Sequence, residues 1–212
     1  MSAARAAPRP DCALCPRLVA FRADNRAREP GWHNAPVASF GDPAAPLLIV
    51  GLAPGLRGAN RTGRPFTGDV AGELLYAALD RHGLSRGRFA ARPDDGLALV
   101  GCRITNAVRC VPPENKPTRA EIDACRRFLR DELDRPPPRV VLCLGRIAHD
   151  SVLRALDLPP ARHRFAHGAV HRPPGAPALV ASYHTSRYNV QTGRITAAMF
   201  DAVVRTAVEL CR

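Results

Sequence analysis

Cys12 and Cys15 stand two residues apart in DCALCPRL, a spacing that lets both thiolates address one metal centre. Their partners must come from elsewhere in the chain. Cys110, in the proline-bounded stretch NAVRCVPPENKP, and Cys125, on the helix predicted to follow it, are the best placed. Four thiolates suit zinc or an iron–sulfur cluster, so spacing leaves both open. Cys102 and Cys143 fall inside apolar runs and read as core thiols, and Cys211, next to the last residue, is expected to be inert. Seven cysteines, with no apolar secretory stretch in MSAARAAPRP, argue against a disulfide framework.

A second set of residues can recognise and cut. Residues 51–69, GLAPGLRGANRTGRPFTGD, hold five glycines and end in an acid that opens a predicted helix. Backbone amides along Gly51, Leu52, Ala53, Pro54 and Gly55 can approach a ligand closely. No G-K-[ST] follows, so this is not a phosphate loop. Phe66 offers a stacking surface for a planar ring, or else anchors the loop. Asp69 is either a plain N-cap or a reactive carboxylate. Asn106 carries a donor and an acceptor suited to a base edge, or simply caps a strand. His184 can donate to a developing oxyanion, although a single histidine is more often structural. Tyr188, between Arg187 and Asn189, can wedge into a base stack.

The elements that must position these groups alternate in type. Apolar runs at 46–52, 97–105, 139–145 and 178–183 predict buried parallel strands. Helical patterns occupy 69–82, 118–135, 146–156 and about 194–210, and Thr118 with Glu121 forms a capping box. This predicts a three-layer α/β domain spanning residues 1–212, with ligands beyond the carboxyl ends of the strands. The loops of interest are then 52–68, 106–117 and 184–193. Proline-rich residues 134–138 and 173–177 read as linkers.

Lys and Arg total 31 against 19 Asp and Glu, a net charge of +12, and Lys116 is the only lysine. A GC-rich genome explains Arg in place of Lys but not the excess of positive charge. That excess favours a polyanion such as DNA and offers nothing to a neutral free nucleoside. No apolar run approaches the ~20 residues of a membrane span, and a cytoplasmic location is the default.

Together these stretches resemble the uracil-DNA glycosylase superfamily, and within it the iron–sulfur family 5 enzymes, also called type b. The resemblance rests on CALCPRL at 12–18, GLAPGLRGANRTGRPFTGD at 51–69, ITNAVRCVPPENKPT at 104–118 with Cys125, and YHTSRYNVQTGRIT at 183–196. Family 4 enzymes usually read G-E-A-P-G where this chain has Leu52. The resemblance implies an α/β/α sandwich with a four-stranded parallel sheet. It implies a structural [4Fe–4S] cluster on Cys12, Cys15, Cys110 and Cys125, and a monomeric, monofunctional enzyme that removes damaged bases from DNA and leaves an abasic site. Uracil heads the implied substrates, followed by hypoxanthine, xanthine, hydroxymethyluracil and ethenocytosine. Asp69, His184 and Asn106 become the catalytic set, with the helix N-terminus expected to keep Asp69 ionised. Gly51 to Gly55 and Phe66 would hold the base, while Arg61, Arg64, Ser186, Arg187, Tyr188, Asn189 and Arg194 would hold DNA. Relatives often read H-P-S-P-L-N over His184–Asn189, so tyrosine replaces their apolar wedge. The rival readings are a non-catalytic iron–sulfur or zinc protein that binds nucleic acid, and a uracil-strict family 4 type enzyme.

Overall fold

In chain order the elements are α1 (Pro16–Arg28), β1 (Phe40–Gly41), β2 (Leu47–Gly51), α2 (Ala59–Thr62), α3 (Val70–Arg81), β3 (Ser85–Arg86), β4 (Ala98–Leu99), β5 (Cys102–Asn106), α4 (Arg119–Asp134), β6 (Val140–Leu144), α5 (Arg146–Ala155), β7 (Val170–His171), β8 (Ala178–Ser182), α6 (Arg187–Gln191) and α7 (Ala197–Cys211). The computed structural model describes residues 7–134 and 136–212. Residues 1–6, the first part of the segment read as lacking a secretory signal, and residue 135, the last of the helix expected over 118–135, lie outside the described residues.

Each of β2, β5 and β6 is buried throughout, and β8 is buried after its first residue. Apolar side chains on both faces require cover on both faces, which a parallel sheet between helical layers supplies. The sheet order is β1-β5-β2-β6-β8-β7. The expected four parallel strands form its centre, and the two-residue strands β1 and β7 add antiparallel edges. Leu47, Ile49, Ile104, Leu142 and Val180 face α3 and α7. Their neighbours Leu48, Val50, Val141, Cys143 and Leu179 face α4 and α5. Burying each such aliphatic side chain contributes about 1.5–3 kcal/mol.

Local rules set the helix ends. Thr118 and Glu121 exchange the two capping-box bonds, at 2.7 Å from the Thr118 N–H to Glu121 and 3.3 Å from the Glu121 N–H to Thr118 Oγ1. Thr196 caps α7 through the Met199 N–H, so that helix begins at Ala197 and not at 194. The expected strand 97–105 is broken. Gly101, at φ +64°, turns the chain between β4, which pairs with β3 in a separate two-stranded sheet, and β5 in the main sheet. Helix α1 was not expected at all. It buries Leu18, Arg22 and Asn25, one apolar residue and two polar ones, so it has no apolar periodicity to read. Cys102 and Cys143 are core thiols as expected, and Cys211 is half-buried. Among the described residues no helix is long and apolar enough to cross a membrane.

Candidate active site and sulfur-lined cavity

The sheet changes direction at β2: the chain next adds β5 on one side and later β6 on the other. Ligands sit at such a switch point because the two outgoing loops diverge and leave a crevice. Here the crevice is a cavity of about 580 Å³, lined by Leu52, Ala53, Pro54, Gly55, Phe66, Asp69, Asn106, His184, Ser186 and Arg187 among others. Gly51 and Asn106 are register partners at the tips of β2 and β5. A Cβ on Gly51 would stand 2.4 Å from Asn106 Oδ1 and 2.6 Å from the Phe66 ring. Gly51 therefore lines nothing itself; its missing side chain is the room that Phe66 and Asn106 occupy.

Phe66 has φ +53°, an uncommon conformation for a bulky residue and a local strain. Two contacts hold it there. Tyr76 donates to the Pro65 carbonyl at 2.8 Å, and the Phe66 carbonyl lies where a Gly72 Cβ would be, 1.8 Å away. The ring packs into the core, as a loop anchor does, and also forms part of the cavity wall. Asn106 is buried, and among the described residues its Oδ1 has no hydrogen-bond partner. A buried amide oxygen left unpaired costs free energy that a bound donor returns.

His184 leaves the tip of β8 and faces Phe66, ring centroids 6.0 Å apart. Its backbone is pinned on either side: Asn189 Nδ2 donates to its carbonyl at 2.8 Å, and Thr185 Oγ1 donates to the Ala71 carbonyl at 3.0 Å. Burial pushes the His184 pKa down to about 4, so the ring is neutral near pH 7. Asp69 caps α3 by accepting the Gly72 N–H at 3.1 Å. Its Oδ2 turns toward Gly55 and Gly58, whose missing Cβ atoms would approach it to 3.2 and 2.3 Å. Burial raises the Asp69 pKa, and the backbone N–H groups of Gly72 and Ala71 offset this only in part. The N–H groups at the start of α3 favour the ionised form, as expected of a helix N-terminus, and desolvation acts against them.

Below the same loops, Cys12, Cys15, Cys110 and Cys125 line a second cavity with Leu18, Arg22 and Phe128. Chain segments more than ninety residues apart meet there because α1 docks on α4, with Arg17 gripping Glu121 at 2.8 Å. Burial pushes the Cys15 thiol up to about 11 and the Cys110 thiol up to about 12, and the neighbouring sulfurs add to both shifts. Among the described residues no three His, Cys, Asp or Glu side chains form a group that could hold a metal ion as they stand.

The remaining expected DNA contacts divide. Arg187 lies at the cavity rim, Tyr188 is 69 % exposed on α6, in a short helix and not a loop, and Arg61 is exposed on α2. Arg194 is exposed and stacks over Tyr183 at 4.7 Å. Ser186 and Asn189 also serve internally, Ser186 as the cap of α6 and Asn189 as the brace under His184. Arg64 is the clear correction. It is buried, pairs with both oxygens of Asp95 at 2.7 Å, and lies over Phe40, Tyr76 and Phe89; it holds the loop and is almost closed off from solvent. The sequence reading missed Leu56, Arg57 and Asn115 at the cavity, although all three sit in loops it singled out.

Comparison with known proteins gives one consistent result. The family model described as "Uracil DNA glycosylase superfamily" matches residues 38–207. The chain is 49% identical to the type-5 uracil-DNA glycosylase of Thermus thermophilus, over 94% of this chain and 93% of the relative. It is 43% identical to that of Mycobacterium leprae, covering 94% and 91%, and 42% identical to that of Pyrobaculum aerophilum, covering 93% and 88%. The type-4 uracil-DNA glycosylase of Archaeoglobus fulgidus is 36% identical over 58% of this chain and 54% of the relative.

Proposed function

The chain belongs to the uracil DNA glycosylase superfamily, and we propose that it hydrolyses the N-glycosidic bond of uracil in DNA, leaving an abasic site. One observation carries this reading: Phe66, Asn106 and His184, from three separate strand-end segments, meet with Asp69 around one cavity. Its size falls within the ~300–1,000 Å³ of ligand pockets, with room for an extruded nucleotide. The flipped base stacks on Phe66. Asn106 accepts the N3–H of uracil on its Oδ1. As the C1′–N bond breaks, its electron pair goes to the base, and the neutral His184 ring donates an N–H to the base oxygen. Water adds to C1′ with Asp69 beside it, orienting the water or stabilising the sugar cation; ionised Asp69 serves either task. Arg187 holds phosphate, and Tyr188 fills the gap in the stack. Arg61, Arg194 and the exposed Arg57 extend the basic surface.

The cavity also has room for hypoxanthine, xanthine, hydroxymethyluracil and ethenocytosine, and we extend the substrate range to these. We assign Cys12, Cys15, Cys110 and Cys125 to a [4Fe–4S] cluster. A zinc ion needs its sulfurs at about 2.3 Å from one point, whereas a cluster is held from around a larger body. Cys12, Cys15, Cys110 and Cys125 line one cavity, the four-thiolate donor set that such a cluster needs. Such a cluster supplies structural cross-linking between α1, the β5 loop and α4. We further take the chain as one domain acting as a monomer in the cytoplasm, since one chain completes the cavity. The test is a set of labelled oligonucleotides containing uracil, hypoxanthine or no damage, treated with protein and then alkali. Alkali-labile sites at uracil are expected, and Asp69→Ala and His184→Ala should each remove most of them. Absence of abasic sites in uracil DNA would overturn the assignment.

A further inference from the structure

Arg22 reaches from the middle of α1 into the wall of the sulfur-lined cavity and is only 4 % exposed. Its Nη2 donates to the Cys12 carbonyl at 2.9 Å, and its Nη1 points at Cys110 Sγ from 3.6 Å. Among the described residues no Asp or Glu forms an ion pair with it. Residues 1–6 and 135 contain no acid that could do so. The contrast with its neighbours is sharp. Arg17, on the same helix, has Glu121, while the buried Arg64 has Asp95 and the buried Arg103 and Arg109 share Glu132. Proteins rarely bury a guanidinium without an anion, because desolvation of the charge is not returned by neutral acceptors. What faces Arg22 is sulfur.

We propose that Arg22 is the buried counter-ion of the thiolate-bound iron–sulfur centre, joining the Cys12 segment to Cys110 and raising the reduction potential of the centre. The inference rests on the cluster assignment above. Four thiolates on a [4Fe–4S]2+ core carry a net charge of about −2. One added electron adds one negative charge beside the guanidinium, so Arg22 favours the reduced member of any one-electron couple. Its two bonds also tie together residues separated by 98 positions, which makes it a positioning residue for the ligand set.

The test uses the full chain as isolated, with Arg22→Gln and Arg22→Lys. Iron per chain, absorbance near 400 nm and the reduction potential from a spectroelectrochemical titration are read alongside thermal melting. In Arg22→Gln the ratio of reduced to oxidised centre at a fixed potential is expected to fall at least tenfold, about 59 mV for one electron. Loss of iron from this variant alone supports the proposal equally. Arg22→Lys should recover most of either effect, because it restores the charge. Full iron with a wild-type potential in Arg22→Gln overturns the proposal, as does a lysine variant that behaves like glutamine. Wild-type protein without iron would refute the cluster assignment itself, and Arg22's role with it; the two failures appear in different samples.

Discussion

The protonation state of His184 makes a sharp prediction about how uracil leaves. Burial holds its pKa at about 4, so about one ring in a thousand is cationic at pH 7. A mechanism requiring imidazolium would start from that minority, a handicap of about 4 kcal/mol at 1.36 kcal/mol per unit. A neutral ring donating one N–H carries no such handicap. Single-turnover excision of uracil should therefore be level from neutral pH upward through the ordinary histidine range and fall only on the acid side, where Asp69 takes up its proton. Asp69, raised by burial, places its part of that fall above the ordinary carboxylate range. His184→Ala should slow excision about 100- to 1,000-fold at pH 7. The same shift has a signature in stability. The unfolded chain binds the His184 proton below pH 6.5 while the folded chain does so only near 4, so stability falls as pH drops through that window. The effect amounts to at most about 3 kcal/mol, and urea titrations of His184→Asn should show a shallower slope there. A wild-type rate that declines on the alkaline side with a midpoint near 6.5, and a decline absent from His184→Asn, would refute the reasoning.

Three further outcomes follow from the geometry. Gly51→Ala places a methyl 2.4 Å from Asn106 Oδ1 and 2.6 Å from Phe66; excision should fall by about 100-fold, and a variant of normal activity would remove Phe66 and Asn106 from the site. Arg64→Ala strands the buried Asp95 carboxylate and should cost about 3–5 kcal/mol in urea unfolding while leaving the DNA affinity of folded protein within twofold. Arg187→Ala should behave oppositely, with unchanged stability and a salt dependence of binding shallower by about one unit. Tyr188→Ala should slow excision from duplex DNA at least tenfold yet spare single-stranded DNA, because unstacking costs a few kcal/mol only in the duplex; equal losses on both would exclude a wedge.

Much of this molecule is written in local patterns. The central strands are short apolar runs ended by Gly, Pro or polar residues, and burial on both faces leaves them no other arrangement than a covered parallel sheet. Helices α3 and α4 announce themselves through caps at Asp69 and Thr118 and through stripes such as Ile122, Cys125, Leu129 and Leu133. The segments carrying Asn106, Phe66 and His184 follow, since they lie at or beyond the strand tips. What stayed hidden depends on partners distant in sequence. Helix α1 pairs Arg22 with a sulfur cavity 88 residues away, so its inward face is polar and periodicity is silent. Arg61 and Arg64 look alike in NRTGR; only the fold brings Asp95 to one and leaves the other in water. The ionisation of Asp69 and His184 was equally undetermined, because a pKa depends on how much water the assembled cavity removes, and no local stretch of residues contains that quantity.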